Sequence, residues 1–177
     1  KAAYWIGGHV PPAERRREYE RGITAGRAAV RIHPDRPEGH FWLAADMGAM
    51  AESFGLLTGL KYKGPVKEEL ETVLALAPAF DEGAADRALG RWYFRVPGLF
   101  GGSKTKSVEH LRRALTYDPT SAASHFFLAE TLRAMGRENE ATREWQMVVD
   151  APLAPGWEPE VREFQRKAEA LLLADRR

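Results

Sequence analysis

Three segments of this chain end in the same way. They are Ala29-Val30-Arg31-Ile32-His33-Pro34, Val73-Leu74-Ala75-Leu76-Ala77-Pro78 and Ala114-Leu115-Thr116-Tyr117-Asp118-Pro119. Each is a helix-like run closed by a proline, and the residue before a proline is pushed out of the helical region. The first and third are followed by matching openings, His40-Phe41-Trp42-Leu43-Ala44 and His125-Phe126-Phe127-Leu128-Ala129. Nine positions separate the proline from the leucine in both copies. One fixed offset between a helix stop and an apolar helix start defines a repeated helix-turn-helix unit, and repeats constrain a fold more than any single element does.

Composition agrees with helices. Ala and Leu together number 44, against 12 for Val and Ile. Ala and Leu favour helices, whereas β-branched residues suit strands. The formal net charge of +1 gives no nucleic-acid footprint. There is no cysteine, which excludes disulfides, thiolate zinc sites and a cysteine nucleophile. No apolar stretch is long enough to span a membrane. The chain opens at Lys1 rather than Met, as a processed or trimmed product does.

The first ten residues show no clear periodicity and are expected to be irregular, ahead of a single helical-repeat domain over 11–177. Helices are expected over 13–32, 38–54, 65–77, 81–95 and 121–135, with another after Ser103 and two more towards the C-terminus. Gly55 to Gly64 reads as a connection, and Pro65 as the start of a helix. Phe41, Ala44, Ala45 and Gly48 are mostly small and predict close helix approach. The last helix puts Val161, Phe164, Ala168, Leu171 and Leu172 on one side, with Arg162, Glu163, Arg166, Lys167 and Glu169 facing water. That pattern is what a terminal cap requires.

No residue set names a reaction. Gly98 to Thr105 nearly matches the phosphate-binding loop, but Ser103 replaces the last glycine and no strand precedes it. A tight glycine turn before a Ser103-capped helix is the simpler reading. The five histidines are His9, His33, His40, His110 and His125, and none lies three or four residues from another. His40 and His125 occupy equivalent repeat positions and read as packing residues. Catalytic residues, metal ligands and cofactors are therefore expected to be none.

The unit resembles the tetratricopeptide repeat, whose period is about 34 residues. The best copy is 122–155, where His125, Leu128, Ala129, Leu132, Gly136, Ala141, Trp145 and Val148 stand at the pattern's bulky, small and turn positions. The resemblance implies an all-α, right-handed stack of antiparallel helix pairs with a C-terminal capping helix. The prolines are 44 and then 41 residues apart. That exceeds the period, so extra residues are expected in the turns.

A more specific resemblance is carried by Asp81 to Tyr93, by Pro97-Gly98-Leu99-Phe100-Gly101-Gly102-Ser103-Lys104, by His110 to Leu115, and by His125 to Glu130. These segments are similar to the T-component family of tripartite ATP-independent periplasmic (TRAP) transporters. The resemblance implies a bacterial periplasmic helical-repeat protein that partners a substrate-binding protein. Two functions follow. One is a non-catalytic scaffold for a protein partner, because stacked pairs present a continuous surface. The other is a transport accessory holding a small apolar or anionic ligand. In either, contact is expected at the modified turn and the helix before it, through Arg87, Arg91, Trp92, Gly101, Gly102, Ser103 and Lys104. Arg87 and Arg91 share a helix face, and carboxylates of the same or a neighbouring helix compete for them.

Overall fold

The computed structural model describes residues 1–154 and 156–174. Every regular element among them is helical, as the composition requires. The chain divides after Phe80 into two compact units.

The first unit holds α1 (Ala2–His9), α2 (Pro12–Ile32), α3 (Pro37–Ser53) and α4 (Gly55–Leu76). The opening segment is thus a helix and not irregular. Its glycines hid the pattern. Gly7 lets α1 lie on Tyr19 of α2, and a methyl group there would fall 2.3 Å from the tyrosine ring. Close approach of α2 and α3 comes from α2: a Cβ at Gly26 would meet Leu43 Cβ at 2.9 Å, while one at Gly48 meets nothing within 4 Å. Gly22 and Gly26 make the tightest contacts here; on α3, Gly39 rather than Gly48 adds to them, since a Cβ there would lie 3.3 Å from the Val30 nitrogen, and Ala44 is buried.

The segment from Gly55 to Gly64 is helical too, and Pro65 lies inside α4. Gly55, at φ +80°, turns the chain between α3 and α4. Pro65 is tolerated on an exposed stretch, and Val66, Leu70 and Val73 behind it are buried. The extra residues of this repeat lengthen a helix instead of a turn.

The second unit holds α5 (Ala84–Arg95), a 3₁₀ turn (Gly98–Phe100), α6 (Lys104–Tyr117), α7 (Ala122–Arg133), α8 (Glu138–Val149) and α9 (Glu158–Ala174). Asp81, Glu82 and Gly83 all have positive φ, so α5 begins at Ala84 rather than Asp81. Antiparallel pairs form from α5 with α6 and α7 with α8, and α9 packs on α7 and α8. Val108, Leu111, Leu128, Leu132, Ala141, Trp145 and Val148 meet in one core. Val161 and Ala168 of α9 are buried in it, with Phe164, Leu171 and Leu172 packed alongside. Arg162, Glu163, Arg166, Lys167 and Glu169 face solvent. The last helix is the cap its pattern predicts.

Candidate functional site

Helix α5 ends at Arg95 because Val96 is extended and Pro97 cannot continue it. The chain then folds back on itself. Phe100 and Gly102 N–H groups donate to the Pro97 carbonyl at 2.8 and 3.2 Å, and Ser103 N–H donates to Tyr93 O at 2.9 Å. Gly101 takes φ +102°, open to glycine. Gly102 is fixed differently: a Cβ there would lie 1.7 Å from the Val96 carbonyl oxygen. Ser103 Oγ accepts from Lys106 N–H at 3.3 Å and caps α6. The near match to a phosphate loop is a capped turn.

The turn is tied to its neighbours. Lys104 Nζ donates to the Ala134 carbonyl at 2.5 Å, where a cation suits the C-terminal end of α7. Arg91 Nη1 donates to Glu130 Oε2 of α7 at 2.6 Å, and its guanidinium lies 4.7 Å from the Phe127 ring centre. Arg91 therefore holds a carboxylate, and that carboxylate belongs to the chain itself. Arg87 sits one turn earlier on α5, half-buried. Trp92 stands edge-on to Tyr93 and over Gly101, whose Cβ position is 3.7 Å from the indole. Arg91, Trp92, Gly101, Gly102, Ser103 and Lys104 thus gather where α5, α6 and α7 meet.

What the turn leaves in solvent is apolar. Leu99 is 90% exposed and Phe100 36%. Neither stood out in the sequence, where a leucine and a phenylalanine between glycines read as ordinary turn content. Glu130 and Phe127 were also missed as partners of Arg91, because the pairing crosses 39 positions of chain. Phe127 itself packs against the core, its ring meeting Phe164 of α9 edge-on at 5.6 Å.

Two polar clusters hold the helix pairs. Asp86 of α5, 1% exposed, accepts from Arg113 Nε and Nη2 of α6 at 2.6–2.9 Å, and His110 Nδ1 lies 2.7 Å away. Burial pushes the Asp86 carboxyl up, but the His110 and Arg113 bonds outweigh it and hold the group below its ordinary range. The Asp86 carboxylate in turn raises the Arg113 guanidinium. The repeat histidines are the other device. His40 reaches Glu69 at 2.5 Å and the Pro34 carbonyl at 3.0 Å. His125 reaches Glu144 at 2.6 Å and the Pro119 carbonyl at 3.0 Å. The two are one clamp built twice, so their equivalence in the repeat is structural.

Comparison with solved structures supports the fold. TTC0263, a thermophilic TPR protein in Thermus thermophilus, is similar at a TM-score of 0.65 and 19% identity, over 96% of this chain and 80% of that one. MamA is similar at a TM-score of 0.56 and 17% identity, over 89% of this chain and 91% of that one. No curated protein sequence matches the chain. The model of the TRAP transporter T-component family matches residues 40–176. The match takes in His40 and Glu69, the whole clamp at His125, the modified turn and the capping helix, and the chain belongs to the TRAP transporter T-component family.

Proposed function

We propose that the chain is a non-catalytic helical-repeat scaffold that binds a protein partner through the modified turn and the helix before it. The contact centres on Arg87, Arg91, Trp92, Gly101, Gly102, Ser103 and Lys104. The observation that carries this reading is the rigid tip at Leu99. A leucine 90% exposed on a turn held by four backbone hydrogen bonds is an apolar group presented in a fixed position. Loops positioned by a rigid scaffold are where binding residues concentrate. The donors that would suit a free anion are engaged within the chain: Arg91 with Glu130, Lys104 with Ala134 and the Ser103 hydroxyl with Lys106. That balance favours an apolar protein contact over a phosphate or carboxylate ligand.

Family membership supports a second reading, a periplasmic transport accessory that engages a substrate-binding protein or a small apolar or anionic ligand. Affinity capture from the native cell, run in parallel with wild type, Leu99→Asp and Arg91→Ala, tests both. Loss of the same captured protein from both variants, at unchanged melting temperature, supports the turn as the contact. A substrate-binding protein among those lost supports the transport reading. Equal capture by all three chains overturns the contact. If Arg91→Ala melts far lower, and binds normally where it is folded, Arg91 is a structural tie.

A further inference from the structure

Helices α1, α2 and α3 line an open cleft of about 540 Å³, within the size range of small-molecule sites. Much of its wall is apolar, from Ala2, Ala3, Ile6, Ala25, Ala29 and the Trp42 ring. Glu18 and Arg21 also line it, and they pair with each other at 3.0 Å. Asp46 is different. It lines the same cleft at 1% exposure, and its Oδ1 has no hydrogen-bond partner among the described residues. Its other oxygen rests on the backbone of α2, since a Cβ at Gly22 would fall 2.3 Å from Oδ2. A glycine is therefore needed on α2 for the carboxylate to sit there at all. A buried carboxylate whose Oδ1 accepts no hydrogen bond is expensive, and the charge within the chain that acts against this cost is the Lys1 α-amino group.

We propose that this cleft binds a small organic cation, an ammonium on a short apolar body, with Asp46 as its counter-ion and the Trp42 ring as its wall. The chain already shows that the wall accepts positive charge: Lys1 Nζ lies 6.0 Å from the Trp42 ring centre. The face of an indole attracts cations. The Lys1 side chain is exposed, and the proposed ammonium competes with it for the ring. The apolar alanines and Ile6 accept the body of the ligand, which distinguishes an alkyl- or arylammonium from a metal ion.

Burial pushes the Asp46 carboxyl up to about 6, and the nearby α-amino group pulls against it. A bound cation favours the ionised form, so affinity must fall as Asp46 protonates. The other charged or titratable groups around it are Lys1 with its α-amino group, Glu18, Tyr19, Arg21 and Glu38.

Calorimetric titration of the whole chain with 2-phenylethylammonium chloride tests the site, with 2-phenylethanol as the neutral control. At pH 7.5 the ammonium is expected to bind and the alcohol to bind at least tenfold more weakly. Lowering the pH to 5 is expected to weaken ammonium binding about tenfold, the change that one carboxylate titrating near 6 imposes. Asp46→Asn keeps the shape, and is expected to lose that pH dependence and about tenfold in affinity at pH 7.5. Equal binding of ammonium and alcohol, no heat with either probe, or unchanged ammonium affinity in Asp46→Asn each overturns the proposal. Should Asp46→Asn fail to fold, the wild-type pH profile of ammonium against alcohol still decides it, and a flat profile rejects the site.

Discussion

His125 Nδ1 lies 2.6 Å from Glu144 Oε2, and this contact fastens α7 to α8. The same imidazole reaches back through Nε2 to the Pro119 carbonyl. An imidazolium satisfies both acceptors at once by donating from both nitrogens. Burial pulls its pKa down, but the Glu144 carboxylate and the Pro119 carbonyl outweigh that and raise it above 6.5. A group raised by folding stabilises fully below its unfolded value, and that contribution is lost as pH rises through the folded one. The melting temperature is therefore expected to decline from pH 6 upwards through that range. His125→Ala is expected to lower stability by about 1–3 kcal/mol at pH 6, through the unpaired groups it leaves. Denaturant melts across pH 6–9 check both. A variant with the wild-type pH profile would remove the clamp from the explanation.

Asp86 behaves in the opposite sense. Its folded pKa is depressed, so its contribution is present above the ordinary carboxylate value and is lost as pH falls through the folded one. Removing one partner of a buried charge pair costs about 3–5 kcal/mol when both groups are buried. Arg113 is 51% exposed, and solvent screening reduces the expectation for Asp86→Asn to about 2 kcal/mol. Urea titrations at pH 7 and pH 3 measure it. The gap between wild type and variant should shrink at the lower pH.

Repeat position and cap were legible in the sequence because they rest on local pattern. The spacing from Pro119 to Leu128 fixes the turn, and the stripe from Val161 to Leu172 fixes the buried side of α9. The half of α4 beyond Pro65 was legible, but the half before it was not, because Gly55, Gly59, Gly64 and Pro65 are helix breakers by propensity. Burial of Tyr62, Val66, Leu70 and Val73 overrides that propensity. The site was half legible. Gly101-Gly102-Ser103 announces a turn, but nothing local tells that Arg91 will face Glu130 or that Leu99 will stand in water.

The two turn glycines at 98 and 102 should respond differently. A Cβ at Gly98 meets nothing within 4 Å, so Gly98→Ala is expected to change stability by less than about 0.5 kcal/mol. A Cβ at Gly102 would lie 1.7 Å from a backbone oxygen, which has no flexible end to move aside. Gly102→Ala is expected to lower stability by about 1–3 kcal/mol and to disturb the Ser103 cap. Paired thermal melts and the amide signal of Lys106 check this, and equal stability of the two variants would contradict the geometry.

Phe164 packs on Phe126 at 5.2 Å and Phe127 at 5.6 Å. It is half-buried, so Phe164→Ala is expected at about 3 kcal/mol, the low end for a core phenylalanine. Calorimetry of the variant measures it. A loss below about 1 kcal/mol would show that α9 is not docked.

The proline inside α4 divides what looks like one rod into two parts with different lifetimes. Pro65 has no N–H, so the carbonyl four residues earlier receives nothing from it. Beyond it the helix is held by Val66, Leu70 and Val73; before it only Tyr62 is buried, and Leu56 and Leu57 are 68% and 84% exposed. The first three turns can then open and close while the remainder stays folded, as a separate cooperative unit. Amide protons over 56–64 should exchange with solvent well ahead of those over 67–76, with the boundary at a single residue that has no amide proton to exchange.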